Sequence, residues 1–229
     1  MILSRQILSL FFTILFTGCV HAGLSQPLLG ADGYPDIWWQ EVPASQLPGW
    51  EIPPQAADRA KGEVILSKRN ELGQFSNLGA SPFVLDGKTY ASVEGLWQGM
   101  KYPESNTDER VKNGVVWPYT RAQVMAMSGF ESKHAGDLAN ANMKQLGIKW
   151  VTYNGKKIEY NGADAEEHYQ LILRACRAKI EQNPVLKNLL LSTNNLVFFA
   201  DHKQAPDSLP AYKYHEIYMK LRTELQNVN

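Results

Sequence analysis

Residues 73–102 read GQFSNLGASPFVLDGKTYASVEGLWQGMKY, and this stretch narrows the choice of fold more than any other. Asp86-Gly87 lies between Val84-Leu85 and Lys88-Thr89-Tyr90. Such a dipeptide between β-favouring runs suits a two-residue hairpin with left-handed turn residues. Ser92-Val93-Glu94 follows at once. Ser92 has the hydroxyl to cap a helix start, and Glu94 falls in the first turn, where a carboxylate is favoured. The chain must therefore turn back on itself and enter a helix within a few residues. Along that helix Glu94, Trp97, Gln98 and Lys101 recur at three- and four-residue spacing and share one stripe. Val93, Leu96, Trp97 and Met100 form the adjoining apolar one. A carboxylate, an indole, an amide and an ammonium then line one wall. From spacing alone, an ordinary first-turn charge beside a core tryptophan is the better explanation of the pattern, because a first-turn glutamate is common. The helix start predicts an ionised Glu94, unless burial opposes it.

The rest of the composition excludes more than it selects. The 229 residues are 44% hydrophobic and 20% charged, enough for one domain with a proper core. Twenty-three basic and 23 acidic residues cancel, so strong nucleic-acid binding through a clustered positive surface is not expected. Arg5 precedes an apolar run from Ile7 to Phe16, too short for a comfortable bilayer span but suited to a signal-peptide core over residues 1–22. Phe16-Thr17-Gly18-Cys19 has the form of a lipobox that would lipidate Cys19, whereas Val20-His21-Ala22 suits ordinary signal cleavage. Either reading predicts an exported protein, periplasmic or held at the membrane only through an N-terminal lipid. The chain has two cysteines, one of them in this segment, so Cys176 has no disulfide partner. It aligns with Tyr169, Ile172, Leu173 and Ile180 and reads as a small core residue.

Residues 23–60 carry six prolines and three tryptophans, Trp38, Trp39 and Trp50. Proline excludes long regular elements here, and the indoles predict an extension that packs on the domain (61–229) or on a partner. Val64 to Ser67 reads as a strand, Asn106 to Asn113 as a polar helix, and Arg121 to Met127 as a helix capped by Thr120. His134 reads as a surface residue. Asn154-Gly155 predicts a second hairpin within Trp150–Tyr160. Asp164 and Glu167 have capping-box spacing before the clearest helix. A helix from Pro184, a buried strand over Leu196–Ala200, and a last helix with Tyr214, Ile217, Tyr218, Leu221 and Leu225 on one face complete the chain. The fold class is α+β, predominantly helical, with short β-hairpins. Neither metal-ligand spacing nor a P-loop, nucleophile elbow or dinucleotide-binding glycine pattern occurs, so neither a metal nor a cofactor is expected.

Taken together, Gly73-Gln74-Phe75-Ser76-Asn77, Asp86-Gly87-Lys88-Thr89-Tyr90, and Ser92-Val93-Glu94 with Gln98 and Lys101 resemble the NADAR, or YbiA-like, family. Ala175 to Pro184 and Leu189-Leu190-Leu191-Ser192-Thr193 are similar to its later motifs, so the resemblance spans roughly residues 64–202. It implies a mostly helical YbiA-like fold and the cleavage of N-glycosidic bonds in a small nucleotide or ADP-ribosyl substrate. Family members with an assigned activity act on a ribosylamino intermediate of riboflavin synthesis or remove ADP-ribose from guanine. The family's functional glutamate falls on Glu94, its tryptophan on Trp150 and its polar turn on Ser76 and Asn77. Phe75, Trp97, Gln98 and Lys101 join these as substrate-binding candidates, with Trp150 or Trp97 stacking on base or ribose and Lys101 meeting a phosphate.

The chain also departs from the family. The usual tryptophan-glycine-aspartate-glycine loop is replaced by Ala200-Asp201-His202-Lys203-Gln204-Ala205-Pro206-Asp207, and a frequent histidine after the glutamate is Gly95. Asp201 or Asp207 stands for the acidic residue there; Asp201 is carried as the third catalytic candidate. The resemblance thus implies an exported N-glycosidase. The departures leave open a nucleotide-binding module without catalysis, and the tryptophan-rich extension a membrane-tethered interaction domain.

Overall fold

The computed structural model describes residues 29–111 and 114–227. The signal segment, Cys19 and residues 23–28 of the extension lie outside the described residues. The fold is α+β and mostly helical. Helix α1 (Val93–Gly99) sits centrally, packed against α2 (Arg121–Met125), α3 (Gly129–Leu146) and α4 (Ala165–Glu181). Helices α5 (Pro184–Ser192) and α6 (Tyr214–Asn227) pack on each other, and α6 also meets α4.

Three two-stranded sheets support these helices. β1 (Glu63–Ile65) pairs in parallel with β6 (Val197–Phe199), in the register Val64 to Phe198. β2 (Phe83–Leu85) and β3 (Lys88–Tyr90) form one hairpin, and β4 (Val151–Tyr153) and β5 (Lys156–Ile158) the other. Both turns have two left-handed residues: Asp86 and Gly87 at φ 48° and 75°, Asn154 and Gly155 at φ 49° and 79°. This is the backbone twist that Asp-Gly and Asn-Gly tolerate best. The hairpins are tied together, since Tyr153 donates its hydroxyl to Asp86 and Lys88 donates to Asn154.

Trp38 is buried in the same core as Val64, Leu66 and Leu72, and its indole N–H donates to Glu71. Trp39 donates to the Glu63 carbonyl. The part of the extension that is described therefore packs on the domain. Cys176 is fully buried, and burial pushes its thiol up to about 11. Thr120 forms the full capping box of α2 with Gln123.

Three local expectations fail for tertiary reasons. The strand expected to be buried over 196–200 is β6, which pairs only with β1 among the described residues and leaves Val197 and Phe199 exposed on one face. The polar helix over 106–113 is, in its described part, only a 3-10 turn at Glu109–Val111. Arg110 is completely buried there and donates to the Met100 and Lys101 carbonyls at 3.0 Å each and to Thr152 Oγ1 at 2.6 Å. A regular helix gives way to that clamp. At α4, Asp164 accepts from the Glu159 backbone and Glu167 pairs with Lys156, so neither side chain caps the helix.

Candidate active site

The N-terminus of α1 is built as its sequence predicts. Ser92 Oγ accepts from the Gly95 N–H at 2.9 Å and donates to the Met127 carbonyl at 2.9 Å. The Glu94 N–H donates to the Asn77 carbonyl at 2.8 Å, which ties the Phe75-Ser76-Asn77 turn to the helix. From the other side Lys179, fully buried on α4, donates to the carbonyls of Gln74 and Ser76 at 2.5 and 3.0 Å. At the far end of α1, Arg110 and Arg121 satisfy the Met100 carbonyl. The short helix is thus fixed at both ends by groups outside it.

Close packing explains why position 95 is glycine. A Cβ there would lie 2.7 Å from the Met127 carbonyl, so α1 approaches the α2–α3 connection too closely for any side chain. Gly136 on α3 plays the same part for Gln98, whose amide oxygen would lie 2.0 Å from an added Cβ.

The stripe on α1 opens into a cleft of about 770 Å³. Ser76, Asn77, Glu94, Trp97, Gln98 and Lys101 all line it. Gln98 donates its amide to Glu94 Oε1 at 2.7 Å. The Asn77 and Gln98 amide oxygens are buried without a protein partner, as are both ring nitrogens of His168 beneath Trp97. Burial pushes the Glu94 carboxyl upward, against the lowering by Gln98 and Lys101. This corrects the expectation of a helix-start carboxylate held low. The first-turn N–H groups are already spent on Ser92 and Asn77, and desolvation of the charged form dominates. Lys101 is 5% exposed, and burial lowers its ammonium to about 8 despite the charge of Glu94. Among the described residues its Nζ makes no hydrogen bond or ion pair. Burial likewise brings His168 down to about 4, so its ring is neutral at physiological pH.

Three sequence-derived placements are revised. Phe75 is fully buried between Phe198 and Tyr218 and does not reach the cleft. Trp150 also lies away from it, with Arg110 and Lys157 over its ring at 4.9 and 4.3 Å. It precedes β4 on the outer side of the Arg110 clamp. Asp201 is 1% exposed and lies behind the wall. Its carboxylate pairs with Lys68, meets His202 Nδ1 at 3.0 Å and accepts from the Tyr214 hydroxyl at 3.2 Å, and all three partners line the cleft. Although burial opposes it, His202 and Lys68 hold Asp201 below the usual carboxylate range. It is an anchor for the wall and a poor proton donor.

No protein-family model matches the chain, and no curated protein does. Among solved structures it is similar to the NMR structure of the E. coli protein YbiA, at 21% identity over 70% of this chain and 82% of that one, with a TM-score of 0.45.

Sequence reasoning missed much of the wall opposite α1. Tyr160 and Asn161, just beyond β5, and Tyr212, in the loop before α6, face the cleft. Tyr212 packs edge-on against Trp97 at 5.0 Å and donates to Asn161 at 2.9 Å. The irregular loop before α6 therefore supplies an aromatic ring to the cleft. Trp50 and Phe130 line the mouth. Nothing periodic marks these positions; for Trp50 the one signal is its place among the three indoles of the proline-rich extension, which predict packing on the domain but not a place at the cleft. Among the described residues, no group of three His, Cys, Asp or Glu is placed to hold a metal ion.

Proposed function

We propose that the chain is a NADAR-type, YbiA-like hydrolase that cleaves an N-ribosyl bond in an ADP-ribose-type or ribosylamino nucleotide. The observation that carries this reading is the meeting of Glu94, Gln98 and the unpaired, desolvated Lys101 in one aromatic-lined cleft. Breaking an N-ribosyl bond passes through an oxocarbenium-like sugar. Glu94 beside the anomeric carbon stabilises that cation and takes a proton from the attacking water as the C–N bond breaks; the electron pair of that bond leaves on the base nitrogen, which is protonated by solvent. A carboxyl shifted upward by burial carries protons at neutral pH better than an unperturbed one. Lys101 meets a substrate phosphate as a point charge. Tyr212, packed edge-on against Trp97, offers its ring to the ribose or base; Asn77 meets a polar edge of the substrate, and Gln98 holds Glu94 through its amide N–H.

The test is base release from ADP-ribosylated guanine nucleotides and ribosylamino pyrimidines, followed by mass spectrometry. Glu94→Gln is expected to reduce release at least a hundredfold while leaving the fold intact. Wild-type turnover in that variant sinks the assignment. The competing reading, a binder without catalysis, is favoured by one observation: Asp201 is locked in ion pairs and so cannot protonate the leaving base. Saturable binding without base release supports it. The interaction-domain reading is weakened because Trp38 and Trp39 are spent on the domain's own packing.

We further propose export, either as a periplasmic protein or as a lipoprotein anchored through Cys19. The substrate is then one available outside the cytoplasm. Recovery of the protein in the cytoplasmic fraction of its host would overturn this.

A further inference from the structure

We infer that Trp50 is a substrate-binding residue, and that its indole stacks on the planar heterocycle of a nucleotide at the cleft mouth. Three observations single it out. First, Trp38 and Trp39 both donate their indole N–H to the protein, whereas among the described residues that of Trp50 has no acceptor. Trp50 is 47% exposed and meets Phe130, itself 58% exposed, edge-on at 6.3 Å. The two rings come from distant parts of the chain, and both line the cleft.

Second, the backbone under Trp50 is held far more firmly than an exposed indole requires. The Glu51 N–H donates to the Pro48 carbonyl at 3.0 Å, making a tight turn with Trp50 in its third position. Arg69 grips the Glu51 carboxylate with two nitrogens at 2.5 and 2.7 Å and reaches the Gln46 carbonyl at 2.8 Å. Glu51 bridges to His202, and the Ile52 N–H donates to the Asp201 carbonyl at 2.7 Å. A bidentate guanidinium–carboxylate pair adds geometric precision as well as energy. The turn is thereby fixed to the same Asp201-His202 strip whose side chains back the cleft.

Third, the surroundings match a nucleotide better than a simple apolar ligand. The Lys68 ammonium lies 5.4 Å from the Trp50 ring centroid, and His202 lines the same wall. An aromatic platform beside the Lys68 ammonium, which Asp201 holds in place, accepts a planar base with its phosphate near that charge. This inference deepens the nucleotide reading of the cleft and rests on it, but it does not require catalysis.

Calorimetric titration of the full chain with ADP-ribose tests it, with ribose 5-phosphate as a ligand lacking the planar ring. Trp50→Ala is expected to weaken ADP-ribose about tenfold or more and to leave ribose 5-phosphate within about twofold. Trp50→Phe, which keeps a stacking face, is expected to recover most of the loss. A thermal melt confirms that each variant folds. Equal ADP-ribose affinity in Trp50→Ala and wild type overturns the inference, as does absence of any ADP-ribose binding by wild type. Ring-dependent loss of binding without base release by wild type supports Trp50 and overturns the hydrolase. Glu94-dependent base release unaffected by Trp50→Ala does the reverse.

Discussion

Lys101 and Lys179 are both buried, and burial lowers the ammonium of each to about 8, yet the chain treats them differently. Lys179 has two carbonyl partners and holds the turn at residues 74–77. Among the described residues Lys101 has none, and it faces the cleft. A desolvated cation without a partner costs stability unless a ligand supplies the anion, which is what a phosphate site requires. Lys101→Met keeps the length of the side chain and removes the charge. It is expected to raise the melting temperature at pH 7 and to weaken a phosphate-bearing ligand about tenfold or more. Calorimetry and thermal denaturation on the same sample check both; a lowered melting temperature with unchanged affinity makes Lys101 structural. In the wild type the same ligand is expected to weaken above about pH 8, where the ammonium loses its proton.

At the scale of the element, α1 works because its neighbours leave room for it. Gly136 on α3 is the space that the Gln98 amide fills, and Gln98 in turn donates to Glu94. Gly136→Ala is therefore expected to cost about 1–3 kcal/mol through overpacking and to push Gln98 off Glu94. Because Gln98 lowers the Glu94 carboxyl, losing it moves the acidic limb of any pH–rate profile upward. A melt and a pH profile of Gly136→Ala check this, and an unshifted limb refutes the coupling. Such a role is invisible in the sequence, where Gly136 is one small residue in a small-polar run. What the sequence exposes is local chemistry. Asp86-Gly87, Asn154-Gly155, Ser92 and Thr120 each encode a turn or cap within a few residues. The stripe of Glu94, Trp97, Gln98 and Lys101 likewise needs only helical period and reaches the cleft intact. What it hides is nonlocal. The β1–β6 pairing joins residues 63–65 to 197–199, and Arg110 turns an expected helix into a clamp because its acceptors lie just past the end of α1 and on β4. Phe75 and Trp150 sit in recognisable motifs, but packing sends the first into the core and the second outside.

For the whole molecule, the buried charges predict how stability responds to pH. Both lysines have folded-state values near 8 against an ordinary 10.5. Between those limits the unfolded chain binds more protons than the folded one, so stability rises with pH. Each lysine contributes up to about 3 kcal/mol across that window, and the contribution is lost as pH falls through 8. Cys176 and the buried tyrosines, Tyr214 and Tyr218 foremost, are pushed up by burial and act oppositely once the unfolded thiol and phenols ionise, so the gain peaks between about pH 9 and 10. Denaturant midpoints are accordingly expected to climb above pH 8 and to turn before about pH 10. Lys101→Met and Lys179→Met should each flatten the climb by about half. They should differ in level: Lys101→Met lies above wild type at pH 7, and Lys179→Met below it, because its loss strands two buried carbonyls at about 1–3 kcal/mol each. A wild-type profile that is flat from pH 8 to 10 would mean that both ammonium groups keep ordinary proton affinities. Lys101 would then be too well solvated to act as the anion site on which the nucleotide reading depends.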